Sequence, residues 1–123
     1  MNNNPVGWFE IPVEDIDRAK VFYESLFGFE MRREDLEGYN TVWFPNDPSV
    51  KGISGALMKG QGYKPGETGN IIYFTCPDID KTISQAETMG NKIVLPKKDL
   101  GAYGYIAWIT DSEGNVIGLH RRK

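Results

Sequence analysis

The chain has 123 residues, 40% of them hydrophobic and 12% aromatic, with a formal net charge of −3. That is enough apolar material for one packed domain and too much for a disordered tail. Lys and Arg are dispersed except at Arg121-Arg122-Lys123, so no basic face for nucleic acid is expected, and no apolar run is long enough for a bilayer.

The opening MNNNPVG lacks the basic and apolar regions of a secretion signal, so the chain reads as cytoplasmic. Residues 6–13 alternate, with Phe9, Ile11 and Val13 on one face and Trp8, Glu10 and Pro12 on the other, the period of a strand. Asp15 is a plausible N-cap for a helix over 15–27, whose stripe is Ile16, Ala19, Tyr23 and Leu26 and whose end is Gly28. Three strands are expected around 29–33, 39–44 and 53–58, separated by the turn-rich segments EDLEG and PNDPSVKG. Residues 60–69 form a glycine-rich linker or a loop over the site.

The plan then repeats. Ile72, Phe74 and Cys76 alternate into a helix near 78–89, with Ile79, Ile83 and Ala86 inward and Gly90 closing it. Strands are expected near 92–95, 103–110 and 115–121, the last two joined by the turn DSEGN. Cys76, the lone cysteine, reads as a small buried hydrophobe. Gly101-Ala102-Tyr103-Gly104 lacks the strand-to-helix context of a phosphate-binding motif.

IPVEDIDRA at 11–19 returns about 63 positions later as FTCPDIDKT at 74–82, and the same spacing places Gly55 on Gly118. The expected fold class is therefore α+β: two βαβββ modules in tandem, 5–59 and 70–121, making a curved mixed sheet in a single domain over 1–123. If Phe9, Ile11 and Val13 pack under a helix, then Trp8, Glu10, Ile71, Tyr73, Gly118 and His120 face the other way, with Gly55 and Leu57 as fourth-strand partners. On this inner face Glu10 and His120 are the candidate proton-transfer groups, and Tyr73 and Tyr105 are polar groups that could orient a ligand.

The strand followed by PVEDIDRAKVFYESLFGF, the later GISGALMKG and the terminal DSEGNVIGLH together resemble the vicinal oxygen chelate superfamily, which includes glyoxalase I, extradiol dioxygenases and bleomycin- and fosfomycin-resistance proteins. The resemblance looks closest to the branch related to lactoylglutathione lyase. It implies a sheet curved around a cavity, commonly completed by a second copy. It also implies four metal positions, which fall here on Trp8, Gly55, Ile71 and Gly118. None of these side chains can ligate a divalent ion.

The expectation is thus a protein without metal or other cofactor that binds a small planar or aromatic molecule, as resistance proteins of that superfamily do. The alternative is a glyoxalase-related enzyme, lyase or dioxygenase-like, using Glu10 and His120. A homodimer is expected, because two small modules leave strand edges and apolar surface uncovered.

Overall fold

Both copies of the repeat fold as strand, helix and three further strands in the computed structural model, which describes residue 4 and residues 6–36 and 38–123. The first module comprises β1 (Phe9–Pro12), α1 (Ile16–Phe27), β2 (Arg32–Leu36), β3 (Tyr39–Trp43) and β4 (Gly55–Lys59). The second comprises β5 (Tyr73–Thr75), α2 (Ile79–Thr88), β6 (Ile93–Asp99), β7 (Tyr105–Thr110) and β8 (Val116–Arg121), with a 3₁₀ turn at Gly101–Tyr103. Two four-stranded mixed sheets result, ordered β1-β4-β3-β2 and β5-β8-β7-β6. In each, only the first strand pairs in parallel, β1 with β4 and β5 with β8. The α+β class and the tandem modules follow as read, with two sheets where one curved sheet was expected.

The repeated Asp starts each helix for the same reason. Asp15 accepts from the Arg18 amide at 3.0 Å and Asp78 from the Lys81 amide at 3.1 Å, each satisfying an N–H that the first turn leaves free. Gly28 ends α1 at φ 79°, a left-handed conformation open to glycine at little cost. Both helices lay their apolar stripes on one continuous core, with Ile11, Val13, Tyr23, Val42 and Leu57 from the first module and Cys76, Ile79, Ala86, Ile109 and Leu119 from the second. Each large aliphatic buried there contributes about 1.5–3 kcal/mol. Burial also pushes the Cys76 thiol up, in keeping with a packing role.

Two differences from the sequence reading have physical causes. The strand expected at 29–33 lies at Arg32–Leu36. Phe29 and Met31 pack on the core outside any strand, and the charged run pairs with β3 instead. The turn expected at EDLEG is thus largely strand, and its Glu37 lies outside the described residues, as do Met1, Asn2, Asn3 and Pro5. The second difference is register. Ile11 pairs with Leu57 and Phe74 with Leu119, so the counterpart of Gly118 is Ala56, not Gly55. The first module carries one more residue between its helix-opening Asp and its last strand, and a one-residue slip reverses every side chain.

A buried polar network ties the modules together. The Tyr23 hydroxyl donates to Asp111 at 2.7 Å, and the Asn115 side-chain amide donates to Asp111 at 2.9 Å and to the Pro12 carbonyl at 2.8 Å. Burial, then the Asp111 carboxylate, push the Tyr23 phenol well up, so it stays a donor. Beside this network Glu113 accepts the Glu14 and Asp15 amides and the Arg18 guanidinium at the start of α1. Among the described residues no buried side-chain nitrogen or oxygen lacks a partner, and no helix is long and apolar enough to cross a membrane.

Candidate functional site

With Ile11, Leu57 and Val42 turned into the core, alternation sends their neighbours to the open face of the first sheet: Glu10 on β1, Ala56 and Met58 on β4, Trp43 on β3. Trp8, just ahead of β1, joins them, and its ring meets that of Trp43 edge-on at 5.1 Å. Trp8, Glu10, Trp43, Ala56 and Met58 line a hollow of about 250 Å³.

The second sheet repeats this arrangement with different chemistry. Gly118 pairs with Tyr73 on one side and Trp108 on the other, as Ala56 pairs with Glu10 and Trp43. The Trp108 indole N–H donates to the Tyr73 hydroxyl at 2.7 Å. A Cβ on Gly118 would overlap the Tyr73 ring, so the missing side chain is what lets the ring lie across the strand. Tyr73 stands where the repeat has Glu10, and the two open faces therefore differ by one carboxylate.

Between β1 and the second module runs a cleft of about 750 Å³, bordered by Trp8, Glu10, Ile71, Ile72 and Asn115 and by Lys64, Gly66, Thr68 and Asn70 of the glycine-rich segment. That segment is a strap held at two points. The Tyr63 hydroxyl donates to Glu10 at 2.8 Å, and the Gly66 amide donates to the Asn115 side chain at 3.0 Å. The Glu10 contact raises the Tyr63 phenol, which stays protonated. A second hollow of about 540 Å³ has a floor of Phe9, Phe29, Phe44 and Phe74 and shares Ile71 and Ile72 with the cleft.

Of the residues expected at the site, Trp8, Glu10 and Ile71 meet in the cleft, and Tyr73 and Gly118 share the second open face. The others are placed differently. Leu57 is fully buried in the core and faces the helices. Gly55 shares that face, where a Cβ would press into the Phe9 carbonyl and ring. Tyr105 pairs with Arg121 and Asp99 and shares the core-facing side of β7 with Ala107 and Ile109, its ring covered by the Lys97 and Lys123 ammonium groups at 4.5 and 5.1 Å. His120 shares the face of Gly118 but contacts the Tyr103 carbonyl through Nε2 at 2.8 Å, and it does not line the cleft with Glu10.

Trp43, Ala56, Met58, Tyr63 and Lys64 were missed. β4 is buried on both faces, so its alternation is silent, and the strap has no periodicity to read. Trp43 and Trp108 lie on the open faces.

The donor set does not fit a metal. With the structural register the four open-face positions become Trp8, Ala56, Ile71 and Gly118, still without an imidazole, carboxylate or thiolate, and Glu10 offers one ligand where three or four are needed. Among the described residues no group of three or more His, Cys, Asp or Glu could hold an ion.

Comparison with known proteins places these features. Residues 6–119 match the Glyoxalase/Bleomycin resistance protein/Dioxygenase superfamily. The "Putative glyoxylase CFP32" proteins of Mycobacterium bovis and Mycobacterium tuberculosis are 26% identical over 119 residues, covering 92% of this chain and 44% of theirs, so the chain spans less than half the length of these curated relatives. TnmS3, an antibiotic binding protein from Streptomyces sp. CB03234, superposes over 100% of this chain and 99% of its own with 27% identity and a TM-score of 0.66. The trypanothione-dependent glyoxalase I of Leishmania major shares the fold at 20% identity, with a TM-score of 0.74 over 97% of this chain and 87% of its own.

Proposed function

The chain belongs to the Glyoxalase/Bleomycin resistance protein/Dioxygenase superfamily, the vicinal oxygen chelate group, and on that premise we propose that it is a metal-independent cytoplasmic protein that binds a small planar or aromatic molecule. One observation carries the reading: the metal positions that the resemblance implies fall, in the structural register, on Trp8, Ala56, Ile71 and Gly118, none of which can ligate an ion, and Trp8 and Ile71 instead border a cleft large enough for a small molecule. Small-molecule sites join apolar surface to a few placed polar groups, and here Trp8, Ile71 and Ile72 supply the first while Glu10, held by Tyr63, with Lys64, Thr68, Asn70 and Asn115 supply the second. TnmS3, which matches end to end, binds an antibiotic, and the resemblance supports sequestration here.

Native mass spectrometry of freshly purified protein tests the proposal. Retention of an organic compound at one per site is the expected result, and a stoichiometric transition metal surviving dialysis overturns it. The enzyme alternative rests on Glu10 alone, since His120 points elsewhere. Turnover of a hemithioacetal or catechol that vanishes in Glu10→Gln would establish that alternative.

A homodimer is part of the proposal. Trp8 and Tyr73 on the open faces, with Val6 and Ile53 beside them, are 38%, 43%, 57% and 49% exposed. A second copy would cover this surface. Sedimentation at tens of micromolar should give a dimer, at roughly the concentration where a standard-sized interface associates, and monomer alone counts against it.

A further inference from the structure

We propose that the hollow between Trp8 and Trp43 receives the positive charge of an organic cation, with Glu10 as its counter-charge. The inference rests on the binding reading above and narrows its ligand to a planar cation. The two indoles meet at 68°, so together they form a corner with two π walls, the geometry that favours ammonium and iminium groups. At about 250 Å³ the hollow is smaller than the roughly 300–1,000 Å³ that encloses a whole drug-sized ligand. It therefore suits one end of a molecule whose body extends into the larger cleft, which Trp8 and Glu10 also line.

The surrounding charges assign the sign. The Trp43 ring already has a cation beside it, the Arg32 guanidinium at 5.9 Å from its centroid. That charge is answered by Glu34 at 2.7 Å. Glu10 is the one carboxylate lining the hollow, and among the described residues it makes no ion pair. Its hydrogen bond comes from a neutral phenol, Tyr63. Lys64 borders the larger cleft without pairing with it. A carboxylate that lines the same hollow as two indoles, with no cation of its own, is the complement of a positive charge.

Equilibrium dialysis at pH 7.5 with N-methylacridinium and with acridine, which is uncharged at that pH, isolates the charge in one ring shape. The cation should bind about tenfold more tightly. Glu10→Gln should bring the two within about threefold, while Glu87→Gln, the same charge change on exposed α2, should leave the preference intact. Trp43→Leu, which keeps Glu10, should also lose the preference. Equal binding of the two probes by the wild type, or a preference lost equally in Glu87→Gln, overturns the inference and leaves the planar-ligand reading standing. Binding of neither probe overturns both.

Discussion

Replacing Glu113 by glutamine should loosen the joint between the two modules at neutral pH. The side chain is fully buried and accepts five hydrogen bonds, from the Glu14 and Asp15 amides, from Nε and Nη2 of Arg18, and from Ser112. Burial alone would raise its pKa, but Arg18, the two amides at the start of α1 and Ser112 outweigh it and hold the carboxyl at about 2, against an ordinary 4.5. Taken whole, that displacement is worth ~3.4 kcal/mol. Arg18 is half exposed, so solvent screening brings the expected contribution to about 2 kcal/mol.

Because the folded pKa is depressed, this stability is fully present above about 4.5 and is lost as pH falls through about 2. In urea titrations Glu113→Gln should be about 2 kcal/mol less stable at pH 7, and thermal melting should drop by roughly 8 °C. Between pH 5 and 2 the wild type should lose about 2 kcal/mol more than the variant, so the two curves converge. Parallel curves across that window would refute the assignment of the low pKa to this clamp.

Three other outcomes follow from the packing. Gly55→Ala should cost about 1–3 kcal/mol or more, since its methyl group meets the Phe9 backbone carbonyl across paired strands that cannot separate cheaply. Gly118→Ala meets first the ring of half-exposed Tyr73, which can swing aside; it should cost under about 1 kcal/mol yet break the Trp108–Tyr73 hydrogen bond, read as a shift in tryptophan emission. Tyr23→Phe should destabilise by about 1–3 kcal/mol, because it removes a donor from the buried Asp111 while leaving the cleft's lining intact, and denaturant midpoints check this.

The fold was legible because its signals are local. Asp15 and Asp78 cap, Gly28 and Gly90 stop, and Ile11 and Phe74 alternate, each within a few residues of the next. The site was legible on β1, where alternation is clean, and Trp8 and Glu10 lie where parity puts them. It failed on β4 for two physical reasons. The strand is buried on both faces, so hydrophobicity carries no parity, and matching Gly55 to Gly118 by letter hid the extra residue in the first module. Leu57 was thereby exchanged for Ala56 and Met58. The strap contacts Tyr63–Glu10 and Gly66–Asn115 join residues 53 and 49 positions apart, and only the folded chain brings them together.

Equilibrium binding of a planar aromatic compound to chelator-treated protein, with Trp8→Ala alongside the wild type, tests metal-free recognition most directly. The wild type should bind with the same affinity before and after chelation, and Trp8→Ala, which removes a wall common to the hollow and the cleft, should bind at least tenfold more weakly, or about 1.4 kcal/mol. Binding that disappears on chelation and returns with added metal, or that is indifferent to Trp8, would contradict it.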